Sequence, residues 1–230
     1  MTAVGLALHG WGPGVAAAAE RLGFVSLWAS DDAGLESYTL LGALAACTST
    51  ARLGALVTDV TCRNPAIIAK QVTTIDRISH GRAVLAIGGA GGGQVEEALD
   101  ICRAMFRDER PVFAGRASRI DGAPNHPPPA QPGGPPIFVA DHVALAARRA
   151  DGVILRCAQQ DLAAELEVVA RRCGESGRDP RDLRTLWRPP VTGAVAATGV
   201  SGLDEVILDL GPLGGTDAAA VMQEALRTAR

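Results

Sequence analysis

Short apolar runs alternate with helical patterns almost from end to end of this chain, and that alternation constrains the fold more than any other feature. The runs are VGLALHG (4–10), VSLWAS (25–30), RLGALVTDVT (52–61), AVLAIG (83–88), IFVAD (137–141), GVILRCA (152–158), VTGAVAA (191–197) and EVILDL (205–210). Each reads as a strand apolar on both faces, as parallel strands are when helices cover them. Helical patterns follow at 15–24, 38–49, 142–150, 162–177 and 217–230. A further helix opens at Asn64-Pro65, an N-cap followed by proline in the first turn, and ends at Gly81. It carries Ile68, Val72, Ile75 and Ile78 at near-helical spacing, and the helix after strand four carries Val95, Leu99, Cys102 and Met105 on one face. Eight strands and seven helices in one domain over residues 1–230 predict an α/β fold, a (β/α)8 TIM-like barrel. The barrel is expected to be truncated or incomplete. Only TGVSGLD separates the seventh and eighth runs, too little for the helix that a parallel crossover normally uses.

Composition narrows the function classes. Net charge is −3 and aromatic residues make up 3%, which argues against nucleic acid, an acidic membrane surface or a base-stacking platform. No apolar run is long enough to span a membrane. The five cysteines (Cys47, Cys62, Cys102, Cys157, Cys173) and four histidines (His9, His80, His126, His142) are scattered without metal-ligand or redox spacing. The expectation is a cytoplasmic protein with reduced thiols and no metal. Seven prolines in the sixteen residues DGAPNHPPPAQPGGPP (121–136) read as an ordered connector, because the strand–helix pattern resumes directly after it.

Five glycines in six positions, Gly88–Gly93, stand between strand four and its helix. A strand–glycine loop–helix is where α/β proteins hold phosphate groups. The run lacks G-x-G-x-x-G spacing, however, and Gln94 stands where a P-loop needs lysine. A bridge across a shortened connection is the other reading.

Six segments carry a family resemblance: AERLGFVSLWASDD, LLGALAACTSTARLGALVTDVTCRNPAIIAKQVTTIDRISHGRAVLAIG, EEALDICRAMF, FAGRASRIDGAPNHPPPAQPGGPPIFV, ALAARRADGV and LDEVILDL. In content and order the chain resembles the bacterial luciferase-like monooxygenases, especially the branch using the deazaflavin coenzyme F420. The resemblance implies an oxidoreductase that transfers hydride on a small organic substrate, with F420 as cofactor, FMN as the alternative, and a homodimeric assembly. It also implies a longer segment after strand four than Gly88–Gly93 supplies, so the run is read as that segment shortened.

Three strand ends then matter. At Ser30-Asp31-Asp32 the family usually reads Ser-Asp-His, with the histidine at the catalytic centre. Asp32 is the candidate catalytic base here, its plainer reading being an aspartate that caps the next segment. At Thr58-Asp59-Val60 the resemblance implies a non-proline cis peptide, at Asp59–Val60, backing the cofactor ring. At Ala140-Asp141 the family places small residues for the cofactor phosphate, and Asp141 reads as a helix cap. Ser30, Thr58, Asp59, Val60, Gly88 and Gly89 are the implied cofactor-binding set. The carboxylates of Asp59 and Asp141 would oppose an anionic cofactor. That opposition keeps an alternative open: a family member without redox activity, serving in binding or assembly. His9 reads either as a mouth-lining residue or as a core or loop histidine.

Overall fold

The computed structural model describes residues 2–9, 12–30, 35–89, 91–108, 110–190, 200–213 and 217–229. In chain order the elements are β1 (Ala3–Leu8), α1 (Pro13–Leu22), β2 (Ser26–Ala29), α2 (Ser37–Cys47), β3 (Arg52–Ala55), β4 (Thr58–Asp59) and α3 (Pro65–Ile78). Then come β5 (Ala83–Gly88), α4 (Gly92–Arg107), β6 (Val112–Ala114), β7 (Arg119–Asp121), β8 (Ile137–Ala140) and α5 (Val143–Arg149). The last are β9 (Gly152–Leu155), α6 (Leu162–Glu175), β10 (Arg184–Trp187), β11 (Glu205–Asp209) and α7 (Ala218–Ala229).

Eight parallel strands close a ring in the order β1, β2, β3, β5, β8, β9, β10, β11 and back to β1. The short β4 adds a second partner to the end of β5. The expected TIM-like barrel is therefore present and its ring is complete. Its seventh place is held by Arg184–Trp187. The run 191–197, read from the sequence as that strand, lies outside the described residues. Arg184–Trp187 was overlooked because its apolar stretch is only Leu-Trp between polar residues, although Thr185, Leu186 and Trp187 are all buried. Among the described residues no helix stands between β10 and β11. Close helix packing runs from α7 through α1, α2 and α3 to α4, and separately from α5 to α6. Beside α6 an open groove of about 750 Å³ is lined by Leu166, Val169, Leu183, Val200 and Leu203, among others.

Local chemistry sets the element ends. Asn64 accepts a hydrogen bond from the Ala66 N–H at the start of α3, and Glu36 accepts from the N–H groups of Tyr38 and Thr39 at the start of α2. Gly23 ends α1 with a φ of 97°. Val95, Leu99, Cys102 and Met105 are buried as their spacing predicts, whereas Ile78, in the last turn of α3, is 46% exposed. The proline connector is ordered. Buried Asn125 donates to Thr73 Oγ1 (3.0 Å) and to the Met105 carbonyl (2.7 Å), and Gln131 donates through its amide to Asp76 and Ala83. Ahead of it stands an antiparallel hairpin, β6–β7, whose strands are too short to announce themselves in sequence.

Two apolar layers result. One lies between strands and helices; the other fills the barrel with Ala7, Trp28, Leu56, Val84, Ala86, Phe138, Ala140, Ile154, Leu186 and Ile207. Among the described residues no helix is long and apolar enough to cross a membrane, and no group of three or more potential metal ligands gathers.

Candidate functional site

In this architecture the strand C-termini form the mouth where chemistry is placed. Asp209 closes β11 there, and its carboxylate gathers groups from three elements. Oδ1 lies 2.7 Å from His9 Nε2, just past β1, and accepts the Gly211 N–H at 3.0 Å. Oδ2 accepts from the Arg188 guanidinium, just past β10, at 3.2 Å. Burial alone would raise the Asp209 pKa, but the Gly211 N–H, His9 and Arg188 outweigh it and hold the group below its ordinary value. His9 lines a small cavity of about 70 Å³ with Leu8, Gly12, Val15 and Gly211–Leu213.

A second ion pair stands further round the rim. Arg156, past β9, donates to both oxygens of Asp141, past β8, and a cavity of about 210 Å³ opens beside them. Asp141 has a φ of 64° and α5 receives no side-chain cap, so the expectation of a helix cap is corrected. Its carboxylate reaches across to a neighbouring strand end because an opposite charge waits there.

On the β3–β5 side, the pairing of β4 with β5 brings Thr58, Asp59, Val60, Gly88 and Gly89 together. The Thr58 hydroxyl is buried against the Tyr38 hydroxyl at 2.7 Å. Asp59 accepts from the Thr61 N–H (2.8 Å) and hydroxyl (2.7 Å), and the hydroxyl bond leads in lowering its pKa. Val60 packs into the layer between strands and helices. The non-proline cis peptide is Leu56–Val57, three residues earlier than the resemblance implied at Asp59–Val60. It is Val57, half-buried, that packs against the apolar filling of the barrel. A Cβ on Gly88 would stand 3.2 Å from Val57 and 3.5 Å from Ala140, so glycine there leaves a low floor at the mouth. Gly89, at a φ of 128°, has no room for a Cβ beside Asp59, and its carbonyl accepts from His142 Nε2 at 3.0 Å. Ser30 is buried at the end of β2, with its N–H bonded to the Leu8 carbonyl. Asp31 and Asp32 lie outside the described residues.

The luciferase-like monooxygenase family profile matches residues 13–196. The chain belongs to that family. It is 30% identical over 236 residues to the phthiodiolone/phenolphthiodiolone dimycocerosates ketoreductase of Mycobacterium kansasii, covering 92% of this chain and 64% of that protein. This luciferase-like chain thus spans less than two thirds of that relative's length. Among solved structures, an F420-dependent secondary alcohol dehydrogenase, in complex with an F420-acetone adduct, superposes with a TM-score of 0.79 at 15% identity, covering all of both chains. The FMN-bound oxygenating constituent of 3,6-diketocamphane monooxygenase from Pseudomonas putida gives a TM-score of 0.68 at 18% identity, covering 85% of this chain and 68% of that one.

At the mouth of this family member Gly88, with no side chain, lies between the apolar side chains of Val57 and Ala140. Of the two carboxylates expected to oppose an anionic cofactor, Asp141 is paired with Arg156, whereas Asp59 accepts from the neutral Thr61, which favours its charged form. The glycine run is a direct connection, with β5 ending at Gly88 and α4 starting at Gly92, where Gly91 caps without a side chain. Arg156, Arg188, Asp209 and the pairing of His9 went unread in the sequence. Strand alternation did carry one signal, since Asp209 stands on the same face of its strand as Glu205. The thiols offer little: Cys102 is pushed up to about 12 by burial, and exposed Cys62 has a threonine hydroxyl as its neighbour.

Proposed function

We propose that this chain is an oxidoreductase transferring hydride between coenzyme F420 and a carbonyl–alcohol pair of a small organic substrate, with FMN as the alternative coenzyme. The observation that carries the reading is the floor of Val57, Gly88 and Ala140 at the strand C-termini. The ketoreductase relative and the alcohol dehydrogenase neighbour favour the carbonyl–alcohol class. Val57, Gly88 and Ala140 would receive the ring. The uncapped start of α4 and the arginines of the rim would face the charged tail. When bound, the reduced coenzyme supplies a hydride; the chain supplies orientation, exclusion of water and the accompanying proton.

Titrating the protein with oxidised F420, followed by its fluorescence, tests this, with FMN in parallel. Saturable binding in the micromolar range is expected. Gly88→Val, which raises the floor, is expected to weaken it tenfold or more, about 1.4 kcal/mol. Absence of binding by either coenzyme at about 1 mM, where affinity is only about −4 kcal/mol, overturns the reading. It would favour a family member acting in binding or assembly, to which the direct β5–α4 connection also points.

A further inference from the structure

We propose that His9 exchanges the proton in the reaction at the barrel mouth and that Asp209 is its positioning residue. The inference rests on the oxidoreductase reading above. A carboxylate only accepts hydrogen bonds, so the 2.7 Å contact requires His9 Nε2 to carry hydrogen. That leaves Nδ1 as the nitrogen that takes up or releases a proton. Asp209 cannot swing away, because the Gly211 N–H and the His9 ring hold Oδ1 while Arg188 holds Oδ2. The imidazole is a quarter exposed and lines a cavity, so it is fixed without being sealed. Among the described residues, the charged groups bonded around it are Asp209 from β11 and, through that carboxylate, Arg188 from beyond β10. The mouth's other histidine, His142, spends Nε2 on the Gly89 carbonyl and has no carboxylate bonded to it among the described contacts.

The chemistry balances. In the carbonyl-to-alcohol direction the carbon receives a hydride from a reduced deazaflavin or flavin, the C=O π pair moves to oxygen, and that oxygen takes the proton from Nδ1. His9 is left neutral, with Asp209 still ionised and bonded to Nε2, and is reprotonated from solvent. The reverse direction uses neutral His9 as base. Asp209 thus orients the ring and fixes which nitrogen acts.

The first readout needs no coenzyme. In protein labelled at its four histidines, imidazole nitrogen NMR is recorded against pH, with His9→Gln assigning the His9 signal. The native protein is expected to hold hydrogen on Nε2, and Asp209→Asn, whose amide can present an N–H to the ring, to lose that tautomer preference. Identical His9 nitrogen shifts in both proteins overturn the pair, whatever the protein binds. The second readout is single-turnover oxidation of reduced F420 by acetone and related small ketones. His9→Gln is expected to slow it about 100-fold, with F420 binding held within about twofold and far-ultraviolet dichroism unchanged. A His9→Gln rate near native overturns the proton role while the oxidoreductase reading stands. Failure of the native protein to bind F420 or FMN overturns that reading, and this catalytic role with it.

Discussion

Glu205 and Asp209 stand on the same strand and the same face, one at each end of the barrel interior, and each meets arginine. Their surroundings make them opposites. Glu205 is fully buried, receives Ser26, the Trp28 indole and Arg52 (2.6 Å), and has Arg184 at 3.9 Å. Burial is the larger influence there and pushes its pKa up. Asp209 keeps contact with the mouth, and its hydrogen bonds win over burial, so its pKa goes down. The same chemistry, a carboxylate with guanidinium partners, serves as an internal plug at one end and as an accessible cluster at the other. Solvent access decides between them. Other contacts at the N-terminal face also serve stability: Arg82 clamps the carbonyls of Ala45, Thr48 and Ala51, while Glu20 accepts three successive backbone N–H groups from Ser49 to Ala51. Those bonds outweigh burial and hold Glu20 at about 2.

The comparison breaks most visibly at the plug. Glu205→Ala leaves Arg52 facing a buried space without its partner, and a loss of about 3–5 kcal/mol is expected, read as a fall in the urea midpoint. A loss below 1 kcal/mol would mean that the plug is dispensable. Overfilling the same end comes next. A Cβ on Gly5 would lie 2.6 Å from Glu205 Oε1, and one on Gly54 2.5 Å from the Trp28 ring. Gly5→Ala and Gly54→Ala should each cost about 1–3 kcal/mol and leave coenzyme affinity unchanged in whatever stays folded. Asp209→Asn at the mouth is expected to cost only about 1 kcal/mol, so thermal melting should move little while the His9 signals move.

The smallest effect is also the sharpest, because its sign differs between the two ends. Glu205, raised above its ordinary 4.5, contributes stability that is complete below that pH and is lost as pH rises through the folded-state value. Asp209, lowered from 3.8, contributes stability that is complete above that pH and is lost as pH falls through its folded-state value. Urea midpoints of Glu205→Gln and Asp209→Asn against the native protein, from about pH 3 to about pH 7, should therefore diverge in opposite directions. Parallel curves would refute the assignment.

Much of the fold was legible because its signals are local. Asn64-Pro65 opens a helix, Gly23 closes one, and each of seven barrel strands announces itself as an apolar run. The eighth, Arg184–Trp187, did not, since its neighbours in the ring rather than its own composition make it a strand. The placement of Asp141 failed for a related reason: helix capping is a sequence-local expectation, and Arg156 is a partner from the next strand end. The cis bond was displaced by three residues because the resemblance located a turn, while the residue facing the barrel interior, Val57, depends on the register of the strand before it.

The sequence by itself determined the class of fold, the family, and the shortness of the connection between Gly88 and Gly92. These follow from periodicity, composition and residue order along the chain. Only the tertiary structure decided which charges meet. His9 and Asp209 are 200 residues apart, Arg188 and Asp209 are 21 apart, and closure of the ring between β1 and β11 makes the first pair neighbours. Nothing in the spacing of two distant polar residues records their contact, because strand order and register set it, and the balance of burial against hydrogen bonds at each carboxylate sets which way its pKa moves.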